Sequence, residues 1–449
     1  MISSSKSRQL KLVTALIETF GFSPLLASAT AFLLLMLGAA AILWVVLSAP
    51  PRTITITSGP SGSSFQRHAE AYQKALAAHG VTLKIIPSGG SLDNLQQLQA
   101  PTSGVDLGFV QGGLVGDDKA PPGLVSLGTV AYQPLWVFYR GTVRITKLSE
   151  LAGQRIGIGA DGSGVQELAR ALLEANHITE APTTLVEQAS DTSAKDFQTG
   201  KLDAIFLMGD SAPSSTVRTL LRLDGVQLYS FTQADAYVRR LSYLNKIVLP
   251  QGSLDFGLNL PAQDVALVGP AVELIARKGL NSAISDLLMG IAQKEHGKPG
   301  LLAKRDEFPV PVKREFTLSA DALRFYKSGQ GITYGLVESF WLANLINRLL
   351  VAIVPFFLVL IPAIRFLPVA YRWSVQIRIY RCYRPLLRVE RDAATPLTAA
   401  QAEELLHRLD TIEAEVNALK VPASFASQFY ELRNHVAFVR NRLKAAMPA

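Results

Sequence analysis

The chain repeats one strand–turn–helix unit, and this repeat constrains the fold more than any other feature of the sequence. In the first copy, Ile54–Thr57 alternates β-branched residues with the period of a strand, and the Gly- and Ser-rich turn Ser58–Ser64 leads into an amphipathic helical pattern. In the second copy, the strand Arg155–Gly159 leads through the turn Ala160–Gly164 into a helical pattern that ends at Asn176. Such a turn directs unpaired N–H groups and the positive end of a helix dipole at one point, which suits a phosphate or carboxylate.

The agreement between the two copies continues downstream. Each unit is followed by a strand, a polar turn, a short helix and a further strand. These strands are 82–86 and 105–110 in the first copy, and 183–186 and 202–207 in the second. We therefore expect an α/β fold with two similar lobes, whose polar turns lie at the carboxyl ends of parallel strands, where open α/β sheets bind ligands.

Most candidate ligand-binding residues come from turns at strand carboxyl ends or helix amino ends. They are Ser58, Gly62, Ser63, Ser64, Phe65, Ser88, Gly89, Gly90, Ser91, Asn94, Gln111, Tyr132, Asp161, Ser163, Gly164 and Gln166. Ser91 and Ser163 have an alternative role, because a serine at a helix N-cap stabilises the helix by about 1 kcal/mol without a ligand. Phe65 and Tyr132 would supply an apolar wall, whereas core packing is the favoured interpretation of Trp136. The prediction depends on several turns from two lobes meeting in one cleft.

The order of the strands predicts that the chain passes from the first lobe to the second and back. Residues 52–140 are assigned to the first lobe, residues 141–235 to the second, and residues 236–335 to a segment that returns to the first. The return segment is expected to contain strands at 246–250 and 264–268 and helices at 270–278 and 281–296. Segments that cross and recross form a hinge, as in a protein that closes on a ligand.

Two apolar segments, residues 25–48 and 340–364, are each expected to span a membrane as a helix. A cleaved signal peptide is the alternative for the first, but its apolar region would be shorter and would end at a small-x-small site. In the second segment, Pro355 and Pro362 are expected to kink the helix. Arg348 is interpreted as an interfacial anchor rather than a buried functional charge.

The distribution of positive charge predicts the orientation of both segments. Lys and Arg residues precede the first segment within residues 1–24, and seven arginines against one acidic residue follow the second within residues 365–391. The net charge of +8 would also fit nucleic-acid binding on a folded face, but its position beside apolar segments favours membrane topology. We expect a double-spanning inner-membrane protein with both termini cytoplasmic and the two lobes periplasmic.

The tail within residues 365–449 is expected to combine the basic segment with an α-helical hairpin. Apolar residues recur at spacings of three and four from Ala402 to Leu419 and again from Phe425 to Leu443, with a break at Val421-Pro422. Thr398 and Gln401 match a capping box. A self-packed antiparallel hairpin is favoured over a zipper that pairs two chains.

The sequence offers little for catalysis. Residues 157–162 match G-x-G-x-x-G, and Glu187 follows, but the periplasmic placement and the different spacing in the first copy argue against a dinucleotide. The six histidines and the single cysteine, Cys382, show no metal-ligand spacing, and nucleophile motifs are absent. We expect no enzyme activity, no cofactor, no metal and no nucleic-acid partner.

Four segments carry a family resemblance: Gly59–Phe65, Pro87–Leu95, Asp106–Gln111 and Gly162–Gly164. Together they make residues 52–330 resemble the TAXI family of solute-binding proteins that serve TRAP transporters. The resemblance implies a two-lobed periplasmic-binding-protein fold of type II. It also implies a small solute, such as an amino acid or organic acid, that is passed to a sodium-driven permease on separate chains.

Two positions depart from that family. Val165-Gln166 stands where members commonly have Thr-Arg, and Ser64-Phe65 stands where they often have Tyr-Tyr. An arginine would bind a carboxylate through two parallel hydrogen bonds, which Gln166 does not reproduce, so the charge of the ligand stays open. We predict a membrane-anchored receptor for a small polar or carboxylate solute. The alternative is a transmembrane sensor that signals to a cytoplasmic partner through its C-terminal helices.

Overall fold

The computed structural model describes Thr14 and residues 24–115, 120–312, 315–337, 339–395, 398–419, 421 and 425–445. The chain divides into two compact units, one formed by residues 1–48 with 347–449 and the other by residues 49–346. The basic residues expected before the first apolar segment, and Pro422 in the expected hairpin break, lie outside the described residues.

Two described helical stretches have the length and composition of membrane spans. Helix α1 (Pro24–Leu47) contains the first, Ala27–Leu47, and the second is Phe340–Leu358. Only 6% and 11% of these stretches, respectively, are buried by the rest of the protein, so neither is the core helix of a packed domain.

The first lobe is built on a mixed six-stranded sheet. Its first elements are β1 (Thr53–Thr57), α2 (Ser64–Ala77), β2 (Thr82–Ile86), α3 (Ser91–Gln99), β3 (Leu107–Gln111) and β4 (Leu124–Tyr132). Strand β1 lies between β2 and β3 and is parallel to both. Helix α2 buries Phe65, Ala69, Tyr72 and Leu76, the face predicted from their spacing, in the core of this lobe.

The second lobe has a five-stranded sheet. Its elements are β5 (Trp136–Arg140), β6 (Arg155–Gly157), α4 (Gly164–Ala175), β7 (Thr184–Val186), α5 (Ser190–Gln198), β8 (Ala204–Leu207), α6 (Ser214–Leu220), β9 (Val226–Leu228) and α7 (Ala234–Arg240). Strand β6 is parallel to β7 and β8, so the order β7-β6-β8 repeats the order β2-β1-β3 of the first lobe. The repeat in the sequence therefore corresponds to a repeat in topology, and the predicted α/β class is confirmed.

The return segment contains β10 (Leu244–Leu249), β11 (Val265–Arg277), α8 (Ser282–His296), α9 (Ala320–Ser328) and α10 (Ile332–Leu336). Strand β11 is antiparallel to β10, β3 and β4. Its first residues, including Leu267 and Val268, pack in the cores of the second lobe, whereas Val272 and Leu274 pack in the core of the first. One strand therefore connects the two lobes.

Two expectations from the sequence were wrong. Residues 270–278 were expected to form a helix, but they continue strand β11 to Arg277. That strand is buried along almost its whole length, so its apolar residues do not alternate and its period gives no signal. In addition, β5 was assigned to the end of the first lobe, but it pairs with β8 and β9 in the second sheet.

The C-terminal elements are α11 (Phe340–Asp392), α12 (Ala399–Ala418) and α13 (Ala426–Ala445). The expected apolar span and basic segment form one helix of 53 residues. Helices α12 and α13 pack with residues 375–389 of α11, and with Ala393 just after it, around a shared apolar core. Thr398 and Gln401 form the capping box that begins α12, and Arg348 donates to the carbonyl of Val45 in the last turn of α1.

Candidate functional site

The polar turns of the two lobes contact each other directly. The N–H and Oγ of Ser64 in the first lobe each donate to the carbonyl of Gly209 in the second, both at 2.7 Å. The Nε2 of Gln111 in the first lobe donates to the carbonyl of Gly164 in the second at 2.9 Å. Because these hydrogen bonds join opposite lobes, the structure shows the two lobes closed on each other.

A buried carboxylate lies at the centre of this contact. Asp210 follows β8 and has no exposed surface. Its Oδ2 accepts from the N–H of Gly164 at 2.9 Å, and its carboxylate also accepts from the N–H of Ser91. Gly164 and Ser91 are the first residues of α4 and α3, so helix N-termini from both lobes hold one carboxylate.

The surroundings of Asp210 set its protonation behaviour. Burial raises the pKa of Asp210 to about 6, because the charged form loses its hydration. Hydrogen bonds from Ser211, Gly164 and Ser91 act in the opposite direction. The Oγ of Ser211 donates to Oδ1 at 3.0 Å. We name Ser64, Ser91, Gln111, Gly164 and Asp210 the interlobe corner.

Two glycines allow the lobes to approach this closely. A Cβ at Gly59 would lie 2.7 Å from the backbone oxygen of Asp210, and a Cβ at Gly90 would lie 2.9 Å from its Oδ2. Gly90 also has a φ of +132°, which L-residues rarely adopt. These glycines of the first lobe are therefore required by a contact with the second lobe and not only by their own turns.

A cavity of about 270 Å³ lies between the lobes beside this corner. It is lined by Ser64, Phe65, His68, Phe109, Val130, Ala131, Tyr132, Gln133, Pro134, Trp136, Gly209, Ala212, Val217, Arg218, Leu254, Val272, His296, Leu301 and Leu302. Most of these side chains are apolar, and the volume is near the lower end of the range for small-molecule sites, roughly 300–1,000 Å³. We name this space the interlobe cavity; its size and lining suit a small molecule with an apolar body.

The polar edge of the interlobe cavity includes two histidines. His68 Nδ1 lies 3.4 Å from Glu295 Oε1, and this contact lowers the pKa of Glu295 to about 2. His296 Nε2 lies 3.1 Å from the hydroxyl of Tyr72, and burial lowers the pKa of His296 to about 3. His296 is therefore neutral near neutral pH. Among the described residues, no group of three or more His, Cys, Asp or Glu side chains is placed to hold a metal ion.

The ligand-binding residues predicted from the sequence occupy different positions in the structure. Ser64, Gly90, Ser91, Gln111 and Gly164 meet where the lobes touch, and Ser64, Phe65 and Tyr132 line the interlobe cavity. Ser63 and Ser163 cap α2 and α4, because the Oγ of each accepts from an N–H in the first turn. Gly62 and Asp161 are exposed, Gly89 donates its N–H to Asp93, and Gln166 is buried on α4.

Asn94, Ser58 and Ser88 hold the turns of the first lobe in place. The Nδ2 of Asn94 donates to the carbonyls of Ser58 and Phe109, and its Oδ1 accepts from Ser88 Oγ at 2.6 Å. Ser88 Oγ also lies 3.0 Å from the carbonyl of Ser58. Asn94 is fully buried, so these three predicted residues position the corner rather than face the cavity.

Sequence reasoning missed Asp210 and several residues of the interlobe cavity, among them His68, Ala212 and Arg218. The sequence contains a signal for Asp210, because the turn Gly209–Ser211 follows the third strand of the second repeat, just as Gly112 follows the third strand of the first. The repeat therefore identifies this turn as the counterpart of the turn at Gln111, which the sequence predicts to bind the ligand. No pattern in the sequence indicates the cavity residues, which lie far apart in the chain.

The chain is similar to a known family over part of its length. A model described as the NMT1-like family matches residues 60–272. This range begins in the turn after β1 and ends in β11, so it contains every residue of the interlobe corner. It also contains most residues of the interlobe cavity.

Solved structures of proteins that bind small molecules align with the chain at low identity. The periplasmic aliphatic sulphonate binding protein SsuA from Escherichia coli has 15% identity and a TM-score of 0.34, with 54% of this chain and 72% of that chain covered. A periplasmic binding protein from Brucella ovis with glutathione bound has 14% identity and a TM-score of 0.36, with 66% and 84% covered. An ancestral arginine-binding protein bound to arginine has 12% identity and a TM-score of 0.35, with 54% and 92% covered.

Proposed function

We propose that residues 52–335 are a receptor that binds a small solute in the interlobe cavity. The observation that carries this proposal is a cavity of about 270 Å³ whose walls come from both lobes. Tyr132, Gln133, Pro134 and Trp136, at the first passage between the lobes, form part of the wall. A change in the angle between the lobes would therefore open or close the space. The match of residues 60–272 to the NMT1-like family agrees with a role in solute binding.

We also propose that the receptor is anchored by two spans, residues 25–48 and 340–364, with both termini in the cytoplasm. The positive residues that flank these segments support this orientation. Within the unit formed by residues 49–346, the Arg52 guanidinium lies 5.6 Å from the centre of the Trp341 ring. The two ends of the solute-binding region therefore leave it at one place, as attachment to one membrane requires.

The finer assignment is a receptor of the TAXI type that serves a TRAP-like permease on separate chains. It is supported by the motifs at 87–95, 106–111 and 162–164. In this proposal, Ser64, Phe65 and Tyr132 contact the solute, and the other predicted site residues hold the surrounding turns. The resemblance implies an amino acid or organic acid as the solute.

A sensor is the second candidate, and one observation favours it. Helix α11 runs without interruption from Phe340 to Asp392, through the candidate span and into the core shared with α12 and α13. A continuous helix transmits a rotation or shift along its length. In that case, closure of the lobes would change the surface that the C-terminal helices present to a partner.

Binding is tested with the purified full chain in detergent. A panel of amino acids, organic acids, sulfonates and small neutral compounds is screened by thermal shift, and hits are confirmed by calorimetry. We expect at least one compound to bind with one-to-one stoichiometry, and a panel with no binder would count against the receptor. Uptake of the hit by a deletion strain then separates the two candidates, since reduced uptake supports transport and unchanged uptake supports sensing.

A further inference from the structure

We propose that Asp210 is an internal ligand, which occupies the anion position between the lobes and holds them closed without solute. The wild-type chain then takes its solute through the interlobe cavity. A free carboxylate binds at the helix N-termini only when the side chain of Asp210 is removed. This inference rests on the proposed function and specifies its ligand class, because it excludes a solute that uses those N-termini.

The geometry at Asp210 is that of a bound carboxylate. The N–H groups of Ser91 and Gly164 are the first in α3 and α4, and both point at the same carboxylate. Each of these helices has at least two turns, with 9 and 12 residues, so their N-termini carry partial positive charge. Asp210 belongs to the second lobe and Ser91 to the first, so the carboxylate forms part of the link between them.

The internal carboxylate fits its surroundings closely. The carboxylate has no exposed surface, and its second oxygen, Oδ1, accepts a hydrogen bond from Ser211 Oγ at 3.0 Å. A Cβ at Gly90 would lie 2.9 Å from Oδ2, so no side chain at position 90 fits beside the carboxylate. A solute carboxylate therefore reaches Ser91 and Gly164 only by displacing Asp210.

The interlobe cavity is the space that remains available to the solute while Asp210 occupies the helix N-termini. Gly209 and Ala212, on either side of Asp210 and Ser211 in the chain, line the cavity, whereas Asp210 itself does not. The wall consists mainly of apolar side chains such as Phe65, Phe109 and Trp136, and Arg218 is the charged residue that the second lobe adds. The expected solute has an apolar body that fills this space. Any acidic group that it carries faces Arg218 and not the helix N-termini.

The test measures lobe closure in the full chain. In a Cys382→Ser background, spin labels are attached after Lys74→Cys and Lys195→Cys, which lie at exposed positions on α2 and α5. We expect one short distance in the wild-type chain without solute. We expect longer and broader distances after Asp210→Ala, and a return to the short distance when formate is added, because formate matches the removed group. Asp224→Ala, at an exposed carboxylate of the same lobe, should leave the short distance unchanged.

An isosteric variant covers the case in which Asp210→Ala does not fold. Asp210→Asn keeps the shape but presents an amide to two N–H donors, so we expect partial opening that formate does not reverse. The inference is overturned if both variants keep the wild-type distance, or if formate binds the wild-type chain as tightly as it binds Asp210→Ala. The proposed function is tested separately, since the solute panel reports binding to the wild-type chain whatever the variants do.

Discussion

The two sides of the gap between the lobes are built on opposite principles. In the interlobe corner, donors and acceptors from both lobes satisfy one another through short hydrogen bonds, and Asp210, Ser91 and Gly164 have almost no contact with solvent. In the interlobe cavity, a space of about 270 Å³ separates the walls, which are mainly apolar. The groups of the interlobe corner bond to one another, whereas the interlobe cavity has room for a solute.

This difference separates two tasks that a binding cleft usually combines. The corner fixes how the lobes meet, because a buried polar group that loses its partner costs about 1–3 kcal/mol. The cavity determines which solute is accepted, because shape and apolar surface set the gain from burial. Changes in the corner should therefore alter closure first, and changes in the cavity should alter affinity first.

The largest effect is expected from Gly59→Ala. The added Cβ would lie 2.7 Å from the backbone oxygen of Asp210, and a backbone atom does not move aside as a side chain does. We expect the free energy of unfolding to fall by about 1–3 kcal/mol and the lobes to separate, as measured by chemical denaturation and by the spin-label distance. Gly300→Ala is the matched control, since among the described residues no atom beyond its chain neighbours lies within 4 Å of a Cβ placed there. Equal effects of the two substitutions would contradict the close contact at the corner.

Filling the interlobe cavity should affect binding more than folding. Ala212 lines the cavity, and Ala212→Leu would place its new methyl groups where we expect the solute. Calorimetry with a hit from the panel should show an affinity at least about tenfold lower, equivalent to about 1.4 kcal/mol. Lobe closure should not change. Ala77→Leu, on the exposed face of α2, is the control and should bind normally; normal binding by Ala212→Leu would move the solute site elsewhere.

The pH dependence of stability should report Asp210. Its pKa is raised to about 6, so the folded chain binds this proton more tightly than the unfolded chain does. The part of the Asp210 contribution to stability that depends on binding this proton is therefore complete below pH 4 and is lost as the pH rises through 6. His296, with its pKa lowered to about 3, acts in the opposite direction up to its unfolded value, so wild type must be compared with Asp210→Asn.

The difference in stability between the wild-type chain and Asp210→Asn should change with pH in one direction. Between pH 5 and pH 7.5, the stability of the wild-type chain relative to Asp210→Asn should fall by on the order of 1 kcal/mol, measured by denaturation at each pH. His296 and Glu295 are present in both proteins, so their contributions cancel. A difference that rises with pH, or does not change, would show that the Asp210 carboxyl is not buried as described.

The smallest effect is expected from Ser64→Ala. The variant loses the hydroxyl bond to the carbonyl of Gly209, but the backbone N–H of residue 64 still donates to that carbonyl. We expect a loss of about 0.5–1 kcal/mol and a slightly broader distribution of lobe distances. Ser103→Ala removes a bond to the carbonyl of Gln97, together with bonds that its hydroxyl accepts from Val105 and Arg277, and should not broaden the distribution because none of these bonds joins the two lobes. Identical distance distributions for the two variants would contradict a role for Ser64 in closure.

The sequence was informative where a local pattern sufficed. Strand β2 was expected at 82–86 and is observed at Thr82–Ile86, and the buried face of α2 follows from the spacing of Phe65, Ala69, Tyr72 and Leu76. The topology of both lobes followed from the repeat. The sequence predicts only the first part of β11 as a strand, because continuous burial removes the alternation on which strand prediction depends.

The site was less accessible to sequence reasoning because it depends on contacts between distant segments. The turns were located, but the sequence left open whether Ser163 caps a helix or contacts a ligand, and the structure shows a cap. Asp210 was missed because its role arises only when α3 of the other lobe is in place. The cavity residues His68, Ala212 and Arg218 share no motif and are brought together by the packing of the lobes.

A crystal structure of the chain with the tightest compound from the panel tests the central claim most directly. We predict electron density for the solute in the interlobe cavity, in contact with Phe65, Tyr132 and Ala212, while Asp210 keeps its bonds to Ser91 and Gly164. Solute density that replaces the Asp210 carboxylate, or that lies outside the gap between the lobes, would contradict the account.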